Sequence, residues 1–138
     1  MKIKQKLQPW VVVQDLAEAR LALRLAARRG LAVGLLSPPD CARIHGAPWF
    51  LHLIDLAGAR RQGALRDHAL DCANAPGLAL EALRHGAATI ILKARPNVFA
   101  KVAEIAAKQG ARLIARRPSA LAKVEAAALV AYYDRFKT

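Results

Sequence analysis

The chain has 138 residues, enough for one domain with a real core, since a chain of about 150 residues buries roughly two-thirds of its unfolded surface. Its 55% hydrophobic and 23% charged residues exclude a disordered chain. A formal charge of +12 admits a nucleic acid, an anionic membrane surface or a phosphorylated ligand as partner, and selects none of them.

The start, MKIKQKLQPWVVVQD, has the positive charge of a signal peptide, but its apolar run stops at Gln14 before an h-region forms. No stretch approaches the roughly 20 apolar residues of a membrane span, so no membrane partner is expected. Cys41 and Cys72 are too few for a disulfide framework. A cytoplasmic protein is the expectation.

Residues 1–8 alternate Lys with other types and read as a basic tail. Trp10 to Val13 is a strand apolar on both faces, as in a central parallel strand. Asp15 with Glu18 has capping-box spacing and opens a helix carrying Leu16, Leu23 and Ala27 inward, ended by Arg29-Gly30. Leu31 to Leu36 is the second strand. Ser37-Pro38-Pro39-Asp40 stops it and starts a short helix with a serine cap. Gly46 and Pro48 break that helix. A further helix is expected from Trp49 to Arg61, with Trp49, Phe50, Leu53 and Ile54 as its apolar cluster, then a loop from Gln62 to Asp67.

The stretch HALDCANAPGLALEALRHGAATIILKARP, from His68 to Pro96, organises the rest. It reads as strand, turn, helix, strand, the crossover unit of α/β domains. Pro96 opens another helix, with Val98, Val102, Ile105 and Ala106 inward, ended by Gln109-Gly110. From Ala111 to Arg116, Arg112, Ile114 and Arg116 alternate with Ala111, Leu113 and Ala115, the mark of a half-exposed edge strand. A long helix is expected over 119–136. The fold class is therefore α/β: one domain over 1–138, with about five mostly parallel strands and about five helices. Crossover handedness leaves two strand orders open, a doubly wound 2-1-3-4-5 sheet or a sequential 1-2-3-4-5 curl.

The phrase ALEALRHGAATIIL resembles the helix-Gly-Ala-strand repeat of phosphate-binding (β/α)-barrel enzymes. With the preceding APWF helix, LDCANAPGLALEALRHG is similar to small uncharacterised bacterial α/β proteins. Neither resemblance implies an activity.

In parallel α/β sheets ligands bind beyond the carboxyl ends of the strands, where helix amino termini converge. The candidates there are Asp15; Ser37 and Asp40; Asp71, Cys72 and Asn74; Lys93, Arg95 and Asn97; Arg116, Arg117 and Ser119. Ser37, Asn74, Lys93, Arg95, Asn97, Arg116 and Arg117 form the expected ligand-binding set, a cationic rim suited to phosphate or carboxylate. Lys93 follows the apolar run Ile90-Ile91-Leu92, the place where barrel aldolases hold a Schiff-base lysine. With Asp71 as acid or base it forms a candidate catalytic pair; the plainer reading is a lysine snorkelling out of a strand end.

No GxGxxG or GxxxxGK[ST] follows a strand, and His45, His52, His68 and His85 are scattered, so neither cofactor nor metal is expected. Arg20, Arg24 and Arg28 share one helix face, which suits either a nucleic-acid backbone or water. No aromatic residues interleave them, which places nucleic acid last among the partners. Trp49/Phe50 and Tyr132/Tyr133/Phe136 are core by default and otherwise a homodimer surface. The leading reading is a non-catalytic or regulatory module binding a small anionic ligand or a partner protein at the strand ends. A small enzyme using Lys93 and Asp71 and a nucleic-acid accessory protein are the alternatives.

Overall fold

Strands and helices alternate from Trp10 to Asp134 in a computed structural model that describes residues 8–61 and 63–136. The basic-tail reading falls on residues 1–7, outside the described residues. The strands are β1 (Trp10–Val12), β2 (Val33–Leu36), β3 (Leu65–Asp71), β4 (Thr89–Ile91) and β5 (Arg112–Ile114). The helices are α1 (Leu16–Arg28), α2 (Cys41–Ile44), α3 (Ala47–Gly58), α4 (Pro76–Arg84), α5 (Pro96–Lys108) and α6 (Ala126–Asp134). Every strand pair is parallel and the order is β1-β2-β3-β4-β5. The sequential curl is thus the order formed, and the 2-1-3-4-5 sheet is not.

Right-handed crossovers that all step the same way set every helix on one face of the sheet. The packing shows that division. On the helical face Val11, Leu35, Leu70 and Ile90 meet Leu23, Phe50, Leu83 and Val102 in one core. On the other, inner face, Trp10, Val12, Leu36, Ala69 and Ile91 form a separate buried cluster to which no helix contributes.

A strap, residues 115–125, covers part of that inner face. The long helix expected over 119–136 begins only at Ala126. The open edge of β1 supplies the alternative: Leu121 N donates to Trp10 O and Val12 N donates to Leu121 O, each at 2.9 Å. Ala120 and Ile114 pack against the inner cluster. α6 then lies on α1, where the buried Tyr133 hydroxyl donates to Ala22 O at 2.8 Å. Trp10 N donates to the Tyr132 hydroxyl at 3.0 Å, and Arg29 pairs with Asp134.

Other expectations shift for local reasons. β3 begins at Leu65, inside the stretch expected as a loop, because Arg66 and Asp67 find partners on the sheet. The Arg66 guanidinium lies 5.1 Å from the centre of the Trp10 ring, and Asp67 accepts from Thr89 Oγ1 at 3.0 Å. α3 starts at Ala47, with Pro48 in its first turn, where a missing N–H costs nothing. Ala27 and Ile105 face outward, each a 100° step from the buried Ala26 and Ala106. Ser37 does not cap α2; its hydroxyl accepts from Asp71 N at 2.9 Å and joins β2 to β3. The capping pair at α1 does form: Asp15 accepts from Glu18 N at 2.8 Å, and Glu18 accepts from Gln14 N at 2.9 Å. Of the aromatic clusters, Phe50 and Tyr133 are fully buried, while Trp49 is half-buried and stacks on His45 with centroids 4.3 Å apart.

Trp10 lies flat on Gly34 across the β1–β2 pair, and a Cβ at Gly34 would overlap its ring. Gly34→Ala is therefore expected to cost about 2–3 kcal/mol, at the upper end of overpacking penalties. A urea melt checks it: a lower midpoint at unchanged slope is expected, and an unchanged midpoint would mean that the ring does not rest there.

Candidate functional site

Where the strap leaves β5 it crosses the carboxyl ends of β4 and β3, and Arg117 fastens it. Arg117 Nη1 donates to Asp71 Oδ2 at 2.7 Å, and Nη2 donates to Ser37 O at 2.9 Å. The other carboxylate oxygen of Asp71 accepts from Ala73 N at 2.8 Å. Asp71 is thus an anchor with both oxygens engaged, and its side chain is only 8% exposed.

Beside this clasp lies a cleft of about 760 Å³. Pro39, Ala73, Ile91 and Ala115 give its apolar lining, and Asp40, Asn74, Lys93 and Arg116 its polar lining. The Asn74 side-chain oxygen accepts from Arg43 Nη2 at 3.0 Å, which orients the amide and leaves its NH₂ end without a partner among the described residues. Lys93 and Arg116 are exposed, and among the described residues neither pairs with a carboxylate.

Backbone strain gathers in the same place. Asp40, with φ of 57°, and Ala73, with φ of 48°, are the two left-handed non-glycine residues among the described residues, and both line the cleft. Such a conformation costs roughly 1–2 kcal/mol per residue, more readily tolerated by Asp than by Ala. Two contacts hold Ala73 there: its N–H is bound by Asp71, and its carbonyl accepts from Lys93 N at 2.7 Å. Ala73 and Lys93 sit on the loops that lead into α4 and α5, whose first turns lack side-chain caps and keep free N–H groups.

The structure therefore brings together Lys93, Asn74, Arg116, Arg117 and Asp71 from the sequence-predicted set. Ser37 lies buried behind the clasp and acts through its hydroxyl and carbonyl. Arg95 and Asn97 are exposed at the start of α5 and do not line the cleft. The strain at Ala73 and the clasping role of Arg117 had no sequence signal, since an alanine with positive φ has no signature and Arg117 pairs across 46 residues.

Neither cysteine adds a nucleophile. Burial, above all, pushes the Cys41 thiol up to about 11 and the Cys72 thiol up to about 12, so both are neutral at physiological pH. Among the described residues no three His, Cys, Asp or Glu side chains gather as metal ligands, and no helix is long and apolar enough to cross a membrane. No protein-family model, curated protein or solved structure matches this chain. The chemistry of the cleft has to be read from its own geometry.

Two outcomes follow. Arg117→Ala leaves the Asp71 carboxylate with a backbone donor alone, and we expect a loss of about 2–3 kcal/mol. That lies below the roughly 3–5 kcal/mol of a fully buried pair because Arg117 is partly exposed. Equal stability of the two proteins in a denaturant melt would show that the clasp is absent in solution. For the thiols, iodoacetamide at mildly alkaline pH should label Cys41 and Cys72 only after denaturation; rapid labelling of the folded protein would contradict their burial.

Proposed function

We propose that this protein is a non-catalytic α/β module that binds a small anionic ligand, a phosphorylated or carboxylated metabolite, in the cleft at the carboxyl ends of its strands. One observation carries the reading. Two cations that pair with no carboxylate among the described residues, Lys93 and Arg116, share a cleft with the left-handed residues Asp40 and Ala73. Strained backbone of this kind collects at functional sites, where the surrounding fold maintains it. The volume falls within the roughly 300–1,000 Å³ of small-molecule sites, and the position is where parallel α/β sheets bind ligands. Lys93 and Arg116 suit the anionic group, Asn74 donates to it, and Ile91 and Pro39 suit an attached carbon skeleton.

Binding is favoured over catalysis because Asp71, the carboxylate expected to act with Lys93, is held by Arg117 and Ala73 N. A proton-transfer role would require breaking the clasp that fixes the strap.

Thermal melts at low salt against phosphorylated metabolites and carboxylates test the proposal. A ligand that binds the native state raises Tm by mass action, by about 2.7 kcal/mol of added stability at 100 times its Kd. We expect a rise of several degrees with at least one small anion, abolished in Lys93→Ala and Arg116→Ala. No rise with any anion, or an equal rise in both variants, would refute it.

A further inference from the structure

A second basic feature lies on the outer surface of the helical layer. Between α1 and the end of α3 runs a groove of about 480 Å³, lined by Arg20, Arg24, Arg60 and Arg61 over Leu56 and Ala57. All four arginines are exposed, and among the described residues none is paired with a carboxylate. Arg61 Nη1 reaches the carbonyl of Arg60 at 3.5 Å, a contact too long to hold it firmly. Arg20 and Arg24, four residues apart on one helix, repel each other.

Asp55, exposed on α3 beside the groove, pairs with none of these arginines among the described residues, and several other acidic residues are engaged elsewhere. Asp15 and Glu18 hold backbone N–H groups at the start of α1, Asp67 and Asp71 are bound on the inner face, and Asp134 pairs with Arg29. Among the described residues no carboxylate forms an ion pair with any of these four guanidinium groups.

We infer that this groove docks the sugar–phosphate backbone of a duplex nucleic acid, without regard to base sequence. Guanidinium forks match phosphate oxygens in two-pronged hydrogen bonds. Arg20 and Arg24 are about 6 Å apart along the axis of α1, and Arg28 continues the row, so the three place guanidinium groups in one line along which a phosphate backbone can run. The lining has no aromatic residue, so bases have nothing to stack on and single strands gain no advantage. Nor does it have the broad apolar face that an amphipathic helix inserts into a bilayer.

Fluorescence anisotropy with short labelled duplexes of two unrelated sequences, titrated from about 50 to 200 mM salt, tests the site. Four neutralised phosphates predict a log–log salt slope of about −3.6 and roughly a 100-fold loss of affinity over that range, the same for both sequences. Arg20→Gln with Arg24→Gln should make the slope shallower by about 2 and weaken low-salt binding at least tenfold. Arg20→Lys with Arg24→Lys should keep the slope, because the charges stay. Arg84→Gln with Lys101→Gln removes the same charge elsewhere and should change neither quantity, and Lys93→Ala should also bind duplex normally, which separates this site from the strand-end cleft. Because the groove arginines are unpaired, these variants should melt as the wild type does. The inference fails if no duplex binds at low salt, or if the Arg84/Lys101 variant loses as much as the Arg20/Arg24 variant. It fails equally if polyglutamate or anionic vesicles bind more tightly than the duplex.

Discussion

Right-handed crossovers between strands laid down in sequential order commit every helix to one side of the sheet, and the other side must find cover that no crossover provides. Here that cover comes from the chain between β5 and α6, held at three points. Ile114 ties it to β4 through the ladder, Arg117 ties it to Asp71 and the Ser37 carbonyl, and Leu121 ties it to β1. Trp10 closes the amino end by lying on Gly34, with Arg66 stacked above it. The cleft at the carboxyl end is the space that remains between the strap and the ends of β3 and β4.

The same constraint sorts the charges. β3, the central strand, places two carboxylates on the inner face, Asp67 near its start and Asp71 at its end. Each takes an arginine from late in the chain, Arg112 for the first and Arg117 for the second. Two of the ten acidic residues are thereby engaged in fixing the sheet and its cover, and much of the basic surplus is left on the outside. Partly buried pairs such as Arg117–Asp71 are weakly screened by salt, whereas the surplus on the rim and the helical face is screened within about 10 Å at 0.1 M. Structure and surface therefore respond differently to ionic strength.

The sequence made the alternating architecture legible because each turn carries its own local chemistry. Glycines 30, 86 and 110 end three helices in the left-handed conformation, and Asp15 with Glu18 opens one. Apolar runs such as Val11 to Val13 and Thr89 to Leu92 mark strands buried on both sides. What was not legible depends on contacts distant in sequence. β3 starts early because Arg66 and Asp67 pair with Trp10 and Thr89, polar residues that locally read as loop. The final helix is shortened because Leu121 finds the edge of β1, a partner more than a hundred residues away. At the site, the cationic rim could be listed by reading off strand ends, but only the fold separates Arg116, left free, from Arg117, engaged with Asp71. Arg95 illustrates the limit of that rule, since it follows a strand end and still lies outside the cleft.

The bridge between Val11 and Leu121 also orders events in time. β1 is the first described strand to leave the ribosome, and one of its two edges has no partner until residue 121 has been made. At ~5–20 residues per second that interval of roughly 110 residues lasts about 5–20 s. Through it the hydrogen-bonding groups of β1 and the apolar inner face beside Trp10 and Val12 face water with a single neighbouring strand. The strap thus acts as the seal on β1, and until residue 121 is made that side of the nascent sheet stays an open edge.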